Sequence, residues 1–371
     1  MILAFCLKSR QIFIRYKDAN GKPRAIVVYD QDEQRCKDKA HEVRERIRND
    51  QPPRDATAKL ASVVEVWISS TLKASGIKQS TKDEYSTLAR KHIRDMSLGA
   101  MRMCDLKASH IEAWLLDLTA GGLSESTIRT CYTVLRKILD AAVRDELLRT
   151  NWAAKVTRPT VTRHEAAYLD TVQVAELIRQ ASDSGSRYAL LFELLAVTGL
   201  RRGEALALKW SDIDWDKRDI WAHGTLARLA DGLVVTPPKT KTSNRHIYMG
   251  ERAYAILKQL KTRQAEEHLR AGSLWQATGF VFTTETGQPC DPRNALRALK
   301  SSAEKVGLTG IGLHTLRHSA ATAMLENGVP LKVVSEQLGH SSVAVTGDIY
   351  GHVTPASAME AMKTLDAAMV F

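Results

Sequence analysis

The sequence has few cysteines, and none stands in a pattern that binds a metal or builds a disulfide framework. Five cysteines occur in 371 residues, and no two of them have the C-x-x-C spacing. Structural zinc sites and disulfide-stabilised folds depend on regularly spaced cysteines. We therefore expect neither feature, and we expect a reducing, cytoplasmic location. The five are Cys6, Cys36, Cys104, Cys131 and Cys290.

Long hydrophobic runs are also missing from the sequence. No apolar stretch approaches the ~18 residues that a membrane-spanning helix requires, so we expect no membrane partner. The sequence also lacks a carboxylate cluster and the ligand spacings of zinc or calcium sites. We therefore expect neither a metal ion nor an organic cofactor.

Positive charge is what the sequence has in excess. The formal net charge is +11. Residues 1–164 carry 30 Lys and Arg against 20 Asp and Glu, whereas residues 165–371 carry 23 against 22. A basic region of this kind suits a polyanion, most simply the phosphates of DNA.

The residues best suited to catalysis lie in the last sixty positions. His314 and Arg317 are three residues apart, so on a helix they share one face. Gly339 is predicted to cap a later helix, which places His340 just beyond the helix end, and Tyr350 follows ten residues later. Arginine holds phosphate oxygens with a planar fork, histidine moves protons near neutral pH, and tyrosine can act as a nucleophile. Together they suit chemistry on a phosphodiester.

This order of residues resembles the C-terminal signature of the tyrosine recombinases, the phage-integrase family. Two upstream segments resemble further motifs of that family. Residues 198–206, Thr-Gly-Leu-Arg-Arg-Gly-Glu-Ala-Leu, are similar to its first arginine motif. Residues 238–245, Pro-Lys-Thr-Lys-Thr-Ser-Asn-Arg, are similar to its lysine-bearing β-hairpin. The resemblance covers roughly residues 165–371.

The resemblance implies a role for each matching residue. Tyr350 would attack a DNA phosphodiester and form a 3′-phosphotyrosyl link, while two arginines hold the phosphate oxygens. A lysine would protonate the 5′-oxygen leaving group, and two histidines would donate hydrogen bonds or shuttle protons. The implied residues are the arginines Arg201 and Arg317, the lysine Lys239, the histidines His314 and His340, and Glu204, which would hold an arginine or histidine in place.

Two assignments within these motifs stay open. Lys239 and Lys241 lie in the same predicted turn, and we prefer Lys239 as the catalytic lysine. Arg201 and Arg202 are adjacent, and the resemblance favours Arg201.

The predicted fold is α+β and mainly α, with three domains. Residues 1 to about 30 alternate in polarity around an Asn-Gly turn, and a basic helix is predicted around residues 34–49. Because this arrangement resembles the arm-type DNA-binding domain of phage integrases, residues 1–55 are predicted to form such a domain. An ordinary terminal hairpin is the alternative. Residues 56–155 are predicted to be a helical, SAM-like core-binding domain, and residues 165–371 a mostly helical catalytic domain with a small antiparallel sheet. The core-binding helices are predicted near 58–73, 80–93, 107–118 and 124–146.

Within the catalytic domain, three short strands and a terminal helix are predicted. The strands are 212–221, 232–236 and 245–248. The helix begins at Pro355 and carries an apolar stripe that includes Met362 and Leu365. By resemblance this tail would dock on a neighbouring subunit, with docking on its own subunit as the alternative.

The predicted function is site-specific recombination by an integrase of a phage or another mobile element. The predicted partners are double-stranded DNA at core and arm sites, three further copies in a homotetramer, a host DNA-bending protein and a directionality factor. Alternatives are a chromosome or plasmid resolution recombinase, a type IB topoisomerase and a non-catalytic DNA-binding regulator. The intact tyrosine, arginines and histidines speak against the last.

Overall fold

The chain forms two compact units, residues 1–163 and 164–371, in a computed structural model. The architecture is mainly helical with small antiparallel sheets, as the sequence predicted. The structure describes residues 10–17, 23–49, 57–162, 167–229, 232–237, 244–340, 342–350 and 362–363.

The first unit begins with a two-stranded antiparallel hairpin and one helix. Strand β1 (Arg10–Lys17) pairs with β2 (Pro23–Asp30), and helix α1 (Glu33–Arg48) follows. Alternate strand residues face the helix, since a strand repeats every two residues. They form a small core made of Ile14, Ile26, Val28, Cys36 and Ala40. The predicted hairpin and helix are thus confirmed.

A helical cluster with its own hydrophobic core makes up the rest of this unit. Helix α6 contributes nine buried residues at helical spacing, and Trp114 and Tyr132 are the largest fully buried side chains. The four predicted helices are confirmed, and two of them continue into π-helical turns at Ile68–Leu72 and Arg90–Arg94. With the short helix α4, which was not predicted, the described helices of this cluster are α2 (Leu60–Trp67), α3 (Gln79–Ala89), α4 (Ser97–Ala100), α5 (Ala108–Ala120) and α6 (Glu125–Arg144).

The second unit packs eight described helices around a larger apolar core. Helix α8 is buried nearly all round, including Phe192, and packs against α12 and α10. The helices are α7 (Thr171–Asp183), α8 (Ala189–Thr198), α9 (Arg202–Ala207), α10 (Glu251–Ala271), α11 (Pro292–Lys305), α12 (Leu313–Glu326), α13 (Leu331–Leu338) and α14 (Val343–Tyr350).

Five strands of the second unit form two small antiparallel sheets. One sheet has the order β3-β4-β7 and the other pairs β5 with β6. The strands are β3 (Ile213–Asp214), β4 (Asp219–Ala222), β5 (Thr225–Leu229), β6 (Gly232–Thr236) and β7 (Arg245–Tyr248).

The predicted strand over residues 212–221 was wrong. The segment is a tight hairpin in which β3 turns back through residues 215–218 into β4. Arg218 adopts a positive φ of 51° at this turn, a conformation that glycine usually marks in a sequence. The strand β5 was missed, whereas the predicted strands 232–236 and 245–248 are confirmed.

Several sequence predictions fall outside the described residues. They are the turn that contains Lys239 and Lys241, and the terminal helix from Pro355 apart from residues 362–363. Among the described helices, none is long and apolar enough to cross a membrane. Within the same residues, no group of three or more His, Cys, Asp or Glu side chains is placed to hold a metal ion.

Candidate active site

The first arginine motif folds into a helix end, a sharp turn and a helix start. Helix α8 ends at Gly199, which has a φ of +66°. A Cβ atom at this position would lie 2.7 Å from a methyl carbon of Leu338 and would displace that side chain, and the positive φ itself favours glycine. The next helix begins two residues later, with Arg201 as its N-cap residue. The sequence therefore holds Arg201 at the junction of two helices.

Glu204 joins two arginines from distant parts of the chain. Its carboxylate accepts from the Arg201 backbone N–H at 2.9 Å and from Arg201 Nη1 at 2.7 Å. Arg245 donates from Nη1 at 3.2 Å and from Nη2 at 3.0 Å. Burial raises the pKa of Glu204, but the charges and hydrogen bonds of both arginines outweigh it, so the net pKa is lowered. Glu204 is therefore an anion at neutral pH, and it binds both Arg201 and Arg245.

Three arginines converge on consecutive carbonyl groups at the end of α13. The carbonyls of Gln337, Leu338 and Gly339 each accept a hydrogen bond from a different arginine. The donors are Arg245 Nε to Gln337 O at 2.7 Å, Arg317 Nη2 to Leu338 O at 2.7 Å, and Arg201 Nη2 to Gly339 O at 2.8 Å. The last carbonyls of a helix lack intrahelical partners and carry partial negative charge, so they attract cations. We call these three side chains the arginine clamp.

His340 lies immediately beyond the arginine clamp. Its Nδ1 is 2.7 Å from Thr346 Oγ1, a buried group on α14. Burial lowers the pKa of His340 to about 4, and the charges of Arg317 and Arg201 add to this effect. His340 is thus neutral at pH 7 and can donate a hydrogen bond from only one of its two nitrogens.

The motif on α12 places two histidines and an arginine within its first two turns. Arg317 is 4% exposed, and its Nη1 donates to Gly199 O at 2.6 Å. Partial desolvation, followed by the charge of Arg317, lowers the pKa of His314. Desolvation and the neighbouring His314 lower the pKa of His318. The positive field of the arginine clamp therefore favours neutral histidines around it.

The structure brings most of the predicted site residues together. Hydrogen bonds or electrostatic effects connect Arg201, Glu204, His314, Arg317 and His340. Tyr350 is the last residue of α14, but its side chain lies outside the described structure, as does the predicted lysine turn.

Arg245 was not predicted as a site residue. It ends the lysine motif and begins β7, where its side chain is only 7% exposed. The alternation of residues in β7 could have identified Arg245 from the sequence. Arg245 and Ile247 share one face of the strand, and an arginine beside a buried isoleucine requires a buried anionic partner.

Replacing His340 by Gln should weaken the dependence of stability on pH. Because its pKa is lowered in the folded chain, the unfolded chain binds a proton first as pH falls below the ordinary value of 6.5. His340 therefore lowers stability progressively between pH 6.5 and about 4, by on the order of 3 kcal/mol in total. Urea unfolding at four pH values in this window measures the slope. His340→Gln should flatten it, and an unchanged slope would contradict the lowered pKa.

The sequence of the second unit matches a known family model. The model described as the phage integrase family matches residues 167–357. A curated relative from Caldanaerobacter subterraneus, named tyrosine recombinase XerC-like, is 30% identical over 94% of this chain and 93% of its own length. The ICEBs1 integrase of Bacillus subtilis is 30% identical over 75% of each chain.

Solved structures share the fold. The Tn1549 transposon integrase in complex with transposon right end DNA has a TM-score of 0.67 at 22% identity, covering 83% of this chain and 100% of that one. A lambda integrase tetramer bound to a Holliday junction has a TM-score of 0.60 at 18% identity, covering 92% and 94%. At these identities the likeness establishes the fold alone.

Proposed function

The chain belongs to the phage integrase family and is a tyrosine-type site-specific recombinase, and we propose that two members of the arginine clamp, Arg201 and Arg317, form its phosphate-binding site. Its function is to cut and rejoin DNA, integrating and excising the DNA of a mobile element. The observation that carries the assignment of the site is the convergence of Arg201 and Arg317 beside His340. Arg201 precedes α9, Arg317 lies in the second turn of α12 and His340 follows the cap of α13, so three separate segments meet at one helix end.

The proposed reaction exchanges one phosphate ester for another. The Tyr350 oxygen attacks a DNA phosphorus atom, a 3′-phosphotyrosyl bond forms, and the bond to the 5′-oxygen breaks. A 5′-hydroxyl of the partner strand then attacks the phosphotyrosyl group and releases the tyrosine. Because each step conserves a phosphate ester bond, no high-energy cofactor is required.

The clamp suits the charge that develops during this exchange. The attacked phosphorus gathers negative charge on its non-bridging oxygens, where Arg201 and Arg317 would donate. His314 and His340 are neutral at pH 7 because their pKa values are lowered. Each can therefore donate a hydrogen bond to the phosphate or pass on a proton without adding a fixed charge.

We assign proton donation to the leaving 5′-oxygen to Lys239, with Lys241 as the alternative. Both precede β7 by a few residues, and β7 is anchored beside the clamp through Arg245. Lys239 and Lys241 precede Arg245 by six and four residues, and this closeness in sequence to β7 supports the assignment. Separate Lys239→Ala and Lys241→Ala variants, compared on a substrate with a better leaving group than the 5′-hydroxyl, would identify the acid.

Covalent trapping tests the proposed function. The protein is incubated with nicked duplexes made from a library of bacterial and phage genomic fragments, and protein-bound ends are sequenced. We expect the protein to be attached to a 3′-phosphate and to leave a free 5′-hydroxyl. Attachment to a 5′-phosphate, or no attachment to any fragment, would contradict the proposal. Relaxation of supercoiled plasmids that lack the recovered sequence would favour a type IB topoisomerase instead.

We propose that the two units contain three functional domains, 1–55, 56–155 and 165–371. The hairpin and α1 have a hydrophobic core of their own, separate from that of α2–α6. Residues 1–55 carry 13 Lys and Arg against 9 Asp and Glu, and a β-hairpin can read a DNA groove. We therefore infer that residues 1–55 bind an arm site and that the helices of 56–155 bind the core site.

A truncated chain that starts at Thr57 should separate these two activities. Its binding to the core site should stay within about threefold of the full chain, because the core of α2–α6 remains intact. Recombination of substrates that carry both site types should be lost. Footprinting of both proteins on the recovered DNA measures the difference. If the full chain protects only the core site, the hairpin has a different role.

Assembly and location also belong to the proposal. Four copies would synapse two DNA sites in the bacterial cytoplasm, as the lambda integrase tetramer is described on a Holliday junction. A DNA-bending protein and a directionality factor would assist. The similarity to a relative named XerC-like favours chromosome or plasmid resolution as a second candidate function. Detection of arm-site binding would argue against it.

A further inference from the structure

Arg245 lies within the candidate site, and its guanidinium is bonded to protein groups on two sides. Its side chain is 7% exposed, and its guanidinium forms a two-bond fork with the Glu204 carboxylate. Its Nε donates to Gln337 O. Any influence on the reaction must therefore pass through the groups that it contacts.

One of those groups also binds Arg201. Glu204 accepts from the Arg201 guanidinium at 2.7 Å. If Arg201 were its only cationic partner, a buried carboxylate would compete with the DNA phosphate for Arg201. Arg245 supplies a second positive charge to the carboxylate. The clamp and Glu204 together then carry three positive charges and one negative charge, a net charge of +2.

Arg245 also contacts Gly339, the residue that precedes His340. A Cβ atom built at Gly339 would lie 2.8 Å from Arg245 Nη1 and 3.0 Å from Nε, so Arg245 rests directly against this glycine. Gly339 O accepts from Arg201, and His340 is the next residue. Arg245 therefore supports the turn on which Arg201 and His340 both depend.

We propose that Arg245 is a positioning residue of strand exchange, which offsets the charge of Glu204 so that Arg201 remains available to the scissile phosphate and which supports the turn before His340. This inference rests on the proposed function. Arg245, the last residue of the lysine motif, then has a role distinct from that of the catalytic lysine. It also explains why an arginine occupies an inward-facing strand position.

Three variants test the inference by single-turnover adduct formation on a nicked duplex recovered by covalent trapping. Arg245→Met should slow adduct formation about 100-fold at saturating DNA, with DNA affinity within about threefold of the unmodified chain. Arg245→Lys should be intermediate, because it keeps the charge but loses the fork. The double variant Glu204→Gln/Arg245→Met should be at least about tenfold faster than Arg245→Met, because the uncompensated carboxylate is gone.

Arg187→Met is the matched control. Arg187 is also a partly buried arginine that donates to a glutamate, Glu267, and to a backbone carbonyl, Thr283 O. Its loss should lower stability while leaving the adduct rate within about threefold, since Arg187 contacts no residue of the clamp.

A spectroscopic signature separates positioning from general structural support. Among the charges that face His340, those of Arg317, Arg201, Arg245 and His318 lower its pKa. The pKa of His340, followed by NMR, should therefore be higher in Glu204→Gln/Arg245→Met than in Glu204→Gln alone. This comparison remains decisive if Arg245→Met does not fold, because the double variant leaves no unpaired buried charge.

The outcomes are distinguishable. A double variant no faster than Arg245→Met, or an unchanged His340 pKa, would overturn the inference while the unmodified chain still forms adducts. Wild-type rates in Arg245→Met would overturn it as well. Absence of adducts from the unmodified chain would overturn the proposed function, and the inference with it.

Discussion

The substitution Tyr350→Phe is expected to abolish covalent attachment to DNA while leaving DNA binding intact. The change removes one oxygen atom, the proposed nucleophile, and leaves the ring in place. Loss of a nucleophile lowers the rate of covalent chemistry by at least about 10⁴-fold. On a nicked suicide substrate the variant should shift DNA in a gel at the same protein concentration as the unmodified chain. No protein–DNA adduct should survive denaturation.

The structure provides two control tyrosines. Tyr248 is 75% exposed and lies on the outer face of β7, opposite to Arg245 and Ile247. Tyr254 packs edge-on against Trp215 at 5.6 Å. Neither ring is directed at the clamp by its strand or helix position. Tyr248→Phe and Tyr254→Phe should therefore form adducts at the normal rate, and an adduct from Tyr350→Phe would reassign the nucleophile to one of them.

Local sequence signals were sufficient for the elements that carry the site. Gly339 was predicted as a helix cap, and it does end α13 with a φ of +66°. Placing His314 and Arg317 on one helix was also correct. In these segments, hydrophobic periodicity and a glycine with positive φ specify the same boundary, so a prediction from neighbouring residues succeeds.

The hairpin at residues 213–222 shows where local signals fail. Its turn contains no glycine, because Arg218 takes the positive φ and is held by Glu251 and the ring of Tyr254. Those contacts come from α10, about thirty residues away in the sequence. A turn that depends on tertiary contacts leaves little local signal, and the segment was therefore predicted as one strand.

The same distinction applies to the candidate site. The sequence identified individual motif residues, but it could not show which groups their side chains would contact. Which carbonyls the arginines would bind depends on how α8, α12, β7 and α13 meet, and the contacts between Arg317 and Gly199 O or Leu338 O join separate motifs. The role of Glu204 was predicted in outline, whereas its second partner Arg245 required the fold.

The second large effect is expected for Arg317, whose side chain binds two backbone carbonyls and is proposed to hold the phosphate. Arg317→Met should lower the adduct rate by at least about 10³-fold, because the proposed charged donor to the phosphate is lost. It should also destabilise the catalytic unit by about 2–4 kcal/mol, because Gly199 O and Leu338 O each lose a buried donor. Urea unfolding and single-turnover adduct formation measure the two effects separately.

Arg317→Lys tests whether geometry or charge dominates at this position. An ammonium group keeps the charge but cannot span Gly199 O and Leu338 O as the guanidinium does, since those bonds leave from Nη1 and Nη2 in a fixed plane. We expect Lys to recover part of the stability and less than a tenth of the lost rate, roughly, because bidentate phosphate contact requires the fork. A Lys variant as fast as the unmodified chain would show that the clamp acts through charge alone. In that case the hydrogen bonds from three arginines to one helix end would stabilise the fold rather than position the phosphate.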